Sequence, residues 1–191
     1  PWGVLDIGLS EHARQGRLGR VSYDNGNRFG IGVDHNTALL VSLSPPAEAV
    51  PLAVIGEGGV MIIDHRDTGM SDDGGLLGMS LSYVTQGDSA LLTADGLTVS
   101  FAEWKQAPSR LKTVAVNQSN LFYGNNFRQF TEQACFNQAS RSLGYGGKKR
   151  QFEILLERSA SAQIMIGGIK RESGYSFYCS YQNLRWSISK R

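Results

Sequence analysis

The chain has 191 residues, 41% of them hydrophobic, and a formal net charge of +2. That size and apolar content can bury the core of one domain, or of a large part of one. So small a charge leaves no electrostatic footprint for nucleic acid or an anionic membrane surface, and no apolar run is long enough for a membrane helix.

In chain order, Trp2 to Asp6 reads as a buried strand that follows directly on Pro1. Residues 9–23 suit a short basic helix with Ser10 as N-cap and Ala13, Leu18 and Val21 as its apolar positions, although Gly16 and Gly19 weaken it. Asp24, Asn25, Gly26 and Asn27 form a turn, because Asn-Gly tolerates positive φ. The stretch Gly30 to Val41 then holds an apolar glycine-broken run, the polar group Asp34, His35, Asn36 and Thr37, and a second apolar run. Strand, tight turn and strand are expected, with any chemistry in the turn.

Ser44 to Pro51 carries Pro45 and Pro46 and is expected as a surface loop, since consecutive prolines cannot join a central sheet. Val54 to Asp64 repeats the strand-turn-strand pattern. The cluster Asp64, His65, Asp67, Asp72 and Asp73 invites a metal reading, but its spacing fits neither an EF-hand loop nor a paired-histidine motif. It is read as a solvated charged loop, with no metal site assigned. Leu81 to Asp88 and Leu97 to Phe101 alternate as half-buried strands do.

Later, Phe127 to Phe136 has helical apolar spacing, Gly144 to Arg150 is a flexible basic loop, and Phe152 to Leu156 and Ala162 to Ile169 are strands separated by polar turns. Cys135 and Cys179 pair in a secreted protein and are buried thiols in a cytosolic one. Asn117, Gln118 and Ser119 form an N-glycosylation acceptor triplet, which adds slightly to an extracellular reading. Extracellular is preferred.

Asp6 to Leu18, the segment Gly30 to Ala38 and the glycine-rich strand ending at Asp64 together resemble the cyanophycinase and dipeptidase E family of serine peptidases. That family carries Asp-x-His-Phe-Ser-Glu-Arg-x-Arg-x-Gly-Arg-Leu and then Gly-Ile-Gly-Ile-Asp-Glu-x-Thr-Ala. Thr85 to Asp88 also looks like the family's Thr-x-Gly-Asp, and the ending from Ser173 to Trp186 looks, more loosely, like its terminal strands. The resemblance implies the C-terminal half of a flavodoxin-like, class I glutamine amidotransferase-like α/β parallel sheet over residues 1–105. Residues 106–191 would be a helix and an antiparallel β-rich extension packing on it. The half with the nucleophile elbow would then be a separate polypeptide, since no Gly-x-Ser-x-Gly occurs in these residues.

Two departures from the family pattern decide the functional expectation. Gly8 stands where the family has its general-base histidine, and His35 stands where it has the acid that orients the base. A triad needs both, the one to take the nucleophile's proton and the other to fix the tautomer. His12 is expected to lie out of reach of position 8, since one helical turn displaces a side chain by about 5–6 Å and a base must come within roughly 3 Å.

The reading is therefore a pseudoenzyme kept for extracellular binding, storage or assembly, completed by an N-terminal-half chain and forming a homo- or hetero-oligomer. Gly8, His12, Asp34, His35 and Asn36 are its candidate ligand-binding residues. Loss of a side chain at Gly8 suggests a roomier, less polar cleft and a small apolar ligand or pigment. The competing readings are an active hydrolase in which His12 or His35 serves a serine on the other half, and an oligomerisation module.

Overall fold

A computed structural model describes residues 3–43, 48–109, 113–114, 116–172 and 174–191. Pro1, Trp2 of the predicted first strand, Ser44, Pro45 and Pro46 of the predicted loop, and Ser173 lie outside the described residues. In chain order the elements are β1 (Gly3–Ile7), α1 (Gln15–Asp24), β2 (Phe29–Val33), β3 (Thr37–Val41), β4 (Ala49–Gly56), β5 (Gly59–Asp64), β6 (Gly69–Met70), β7 (Leu76–Thr85), β8 (Ser89–Thr93) and β9 (Gly96–Ser100). There follow β10 (Asn117–Gln118), α2 (Asn126–Glu132), β11 (Arg141–Gly146), β12 (Phe152–Arg171) and β13 (Gly174–Lys190).

The fold is α/β and rich in strand. A nine-stranded sheet has the order β1-β2-β5-β7-β13-β12-β11-β10, with β6 beside β7, and a four-stranded sheet has the order β3-β4-β8-β9. β5 shows why the layers stack as they do. Its run Gly59 to Ile63 is buried on both faces, as expected of a strand covered on each side. Val60 and Ile62 join Phe29, Val33, Val84, Leu52, Val54 and Leu92 in a core against the small sheet. Met61 and Ile63 join Leu18, Met79, Tyr83, Phe127, Phe130, Tyr181 and Trp186 in a second core under the helices.

β2 divides its residues in the same way. Phe29, Ile31 and Val33 face the small sheet, while Gly30 and Gly32 face the helical side. A Cβ on Gly32 would overlap the Leu9 side chain, so only glycine lets the segment after β1 lie this close.

Several expectations are corrected. Parallel pairing is confined, among the described strands, to β1 with β2 and β10 with β11, and the other ladders are antiparallel. These two pairs, β1-α1-β2 and β10-α2-β11, are the ones joined across a helix, and parallel neighbours need such a connection. The helix begins at Gln15, and Ser10 does not cap it. Residues 8–14 form turns instead, with Ala13 at φ 51°, which breaks any helical run. β4 starts at Ala49 and includes Pro51, inside the predicted loop. Pro51 pairs with Leu91, while its carbonyl accepts from Ser42 N–H at 3.0 Å.

In place of two short strands after Phe152, a single 20-residue strand runs to Arg171 with a register shift between Arg158 and Gln163. Much of the predicted basic loop is β11, followed by a 3-10 turn at Lys148–Arg150. β13 pairs with β7 and with β12, so one sheet runs across residue 105. The predicted second helix is present as α2 and a 3-10 turn at Gln133–Cys135.

Candidate functional site

The ends of β1 and β2 build the site. The two strands are parallel with Ile7 opposite Val33, so Gly8 and Asp34 leave the sheet side by side. Gly8 has φ +62°, a conformation that costs a side-chain-bearing residue free energy, and it turns the chain into the loop that returns over Asp34. His12 N–H donates to Gly8 O at 3.2 Å, closing that loop.

This turn brings His12 back over Gly8. A Cβ placed on Gly8 would lie 2.8 Å from His35 Nε2 and 2.9 Å from His12 Cδ2. The two imidazoles meet edge to face, with centroids 5.5 Å apart, and both residues are exposed. The sequence-based expectation that His12 lies beyond reach of position 8 is thus corrected, because residues 8–12 form a turn that folds back on itself. The expectation of a roomier, less polar cleft is corrected too: two imidazoles fill the space. Neither ring hydrogen-bonds to a serine, threonine or carboxylate among the described residues.

Asp34 lies beneath this pair with its carboxylate fully buried. Oδ1 accepts from Ser10 N–H at 3.0 Å and Oδ2 from Tyr83 OH at 2.7 Å, with Arg128 Nη1 at 3.4 Å. Arg128 also lies 3.6 Å from Glu132 and 4.0 Å from Glu11. Burial, reinforced by the Asp34 charge, pushes the Tyr83 phenol well above its usual range. Burial likewise raises Glu132, against the opposing effect of Arg128. The carboxylate is thus committed to holding the turn, α2 and β7 together, rather than facing the cleft. Asn36, at φ 53°, points its amide to Glu57 Oε2 at 3.3 Å. Of the five predicted binding residues, Gly8, His12 and His35 converge, Asp34 supports them, and Asn36 turns away.

Neither a family model nor a solved structure matches the chain.

Two polar constellations escape a reading of the sequence. Ser22 Oγ lies 2.7 Å from His65 Nε2, and His65 Nδ1 lies 3.3 Å from Thr68 Oγ1. By distance this is a serine-histidine dyad, but the protons run the wrong way for catalysis. Ser22 Oγ donates its one hydrogen to the Leu18 carbonyl at 2.7 Å, so His65 must donate from Nε2 and accept at Nδ1. Burial lowers the His65 pKa, with Asp64 opposing, which favours that neutral ring. His65 is therefore a buried structural donor, in contrast to its predicted place in a solvated loop. Among the described residues no three His, Cys, Asp or Glu side chains converge on a metal position.

The second constellation is Lys105, whose side chain is fully buried. Its Nζ lies 2.6 Å from Asp88, 2.8 Å from Thr85 Oγ1 and 3.0 Å from Ser180 Oγ, and Ser180 donates to Asp88 at 2.6 Å. Burial lowers the Lys105 pKa and the paired Asp88 opposes the shift. A lysine donating to three oxygens has no lone pair for base chemistry, so this network ties β7, β13 and the segment after β9 together. Ser22 and His65 are 43 residues apart, and Lys105 and Ser180 75 apart. No local pattern links residues that distant.

The disulfide between Cys135 and Cys179 is present, and it is compatible with an extracellular location. Asn117 is exposed on β10. No helix among the described residues is long and apolar enough to cross a membrane.

Proposed function

We propose that this chain is a catalytically inactive protein related to the cyanophycinase-like serine peptidases, retained for extracellular binding, storage or assembly. The carrying observation is Gly8, a glycine at positive φ whose side-chain space is taken by His12 and His35. Neither ring hydrogen-bonds to a carboxylate among the described residues: Asp34, beside His35, is spent on Ser10, Tyr83 and Arg128, and Glu11, beside His12, lies 4.0 Å from Arg128. Loss of triad members costs several orders of magnitude in rate.

The unit β1-α1-β2 has the parallel connection of a flavodoxin-like sheet, which supports placing the chain as the later half of such a fold. β1 is an edge strand with Leu5 62% and Ile7 68% exposed. An apolar, unpaired strand edge is a surface that soluble proteins cover, and the N-terminal-half polypeptide is the partner this reading supplies.

The placing of His12 and His35 side by side favours one competing reading, a hydrolase whose serine lies on that partner. Mass spectrometry of the native assembly, intact and denatured, together with fluorophosphonate labelling, separates the two. A second polypeptide that takes no label supports the inactive reading, whereas a labelled serine on either chain establishes the hydrolase.

A further inference from the structure

A cavity of about 290 Å³ opens beside α1, away from the histidine pair. Its floor is apolar: Leu76 of β7, Ile188 of β13 and Phe152 of β12 lie along one face of the large sheet, and Phe122 stands over them. The hollow exists because the helix contributes Gly16 here. A Cβ on Gly16 would meet Phe122 Cε1 at 3.4 Å and Ile188 Cδ1 at 3.9 Å, which is ordinary contact. A larger side chain would fill the space that glycine leaves.

The rim carries two cations, Arg20 and Lys190, against one carboxylate, Asp73. Asp73 is exposed and already accepts from Ser71 Oγ, from Gly75 N–H at 3.3 Å and from Lys190 N–H at 3.0 Å. Arg20 spends Nε on Asp24 and Nη1 on the Gly74 carbonyl, and its Nη2 makes no hydrogen bond among the described residues. Lys190 Nζ likewise makes no hydrogen bond or ion pair among them. An apolar floor whose charged lining residues are two cations and one carboxylate, with Arg20 Nη2 and Lys190 Nζ as the unspent donors, suits an amphipathic anion. At the lower end of the size range of ligand sites, about 300 Å³, it suits a small molecule rather than a peptide segment.

We propose that this pocket binds a small carboxylate with an aromatic or aliphatic body, the apolar part lying on Phe122, Phe152 and Ile188 and the carboxylate meeting Lys190 and Arg20. The site stands apart from Gly8, His12 and His35 and does not depend on whether the chain has lost catalysis.

Isothermal titration with phenylbutyrate, phenylbutanol and phenylbutylamine tests it. Saturable binding of the acid, at least about tenfold tighter than that of the alcohol or the amine, is the expected result. Gly16→Leu should abolish binding while leaving the melting temperature unchanged or raised, because leucine is the better helix former. Lys190→Glu, at the surface, should weaken the acid by about five- to tenfold and serves as the second variant should Gly16→Leu fail to fold. Absence of saturable binding overturns the proposal, as does equal binding of acid and alcohol, or an acid affinity that neither variant changes.

Discussion

Asp34 holds three donors from three parts of the chain: the turn after β1, β7 and α2. Asp34→Ala leaves Ser10 N–H and Tyr83 OH buried without an acceptor. At about 1–3 kcal/mol for each such group, chemical denaturation should show a loss of about 2–6 kcal/mol. His65 makes the other residue-level prediction. Its folded pKa is lowered by burial, so below the ordinary value of 6.5 the unfolded chain binds a proton that the folded chain refuses. The stability contributed by the neutral ring is complete above that value and is lost as pH falls through the folded pKa. The melting temperature of the wild type should therefore drop more steeply below about pH 6.5 than that of His65→Asn, and parallel curves would refute the assignment. Little of this was legible in the sequence. Asp34 was found because it follows an apolar run, but its burial depends on Tyr83 and Arg128, 49 and 94 residues away.

At the level of elements, α2 brings Arg128 to Asp34, and a covalent bond fixes its far end. Phe127 and Phe130 sink into the helical core, which turns Arg128 toward the turn after β1. Cys135, just after α2, is bonded to Cys179 on β13 across 44 residues. In the chain-entropy treatment a loop of that length stabilises by about 4 kcal/mol. Cys135→Ala with Cys179→Ala should lose up to that amount, and hydrogen exchange should accelerate first in residues 126–135. Uniform exchange along the chain would show that the bond does not anchor α2 in particular. The elements themselves were largely readable: strand-turn-strand at 30–41 and 54–64, and the helix at 127–136, follow from periodicity and turn residues. The continuity of β12 was not, since the Ser159 to Ser161 stretch looks like a turn while the partner strand β13 carries the ladder past it with a register shift.

For the whole molecule, two packed sheets and a helical layer share β5 and its neighbours as a common wall. The family resemblance implied α/β, whereas the mixed pairing of the large sheet arises from contacts between segments far apart in sequence. The exposed edge at β1 gives a prediction at this scale. Leu5→Lys with Ile7→Lys places two charges on the uncovered face of an edge strand, a substitution that natural sheets use to block pairing. If β1 is the joining edge of the proposed second polypeptide, native mass spectrometry should show that polypeptide on the wild type and not on the variant. An assembly unchanged by both lysines would remove β1 as the joining edge.

The position of β13 carries a consequence for the order in which the protein takes shape. Residues 174–190 follow every other described strand in the chain, yet they lie between β7 and β12 in the middle of the large sheet. Until the ribosome has released them, β7 has an open edge and the apolar faces of β5 and β7 wait for the residues that bury them, Tyr181, Leu184 and Trp186. Pairings this distant along the chain form slowly, and exposed strand edges invite aggregation in the interval. Pairing of β13 is thus the step that closes the large sheet, and any helper that shields a nascent sheet would act on β5 and β7.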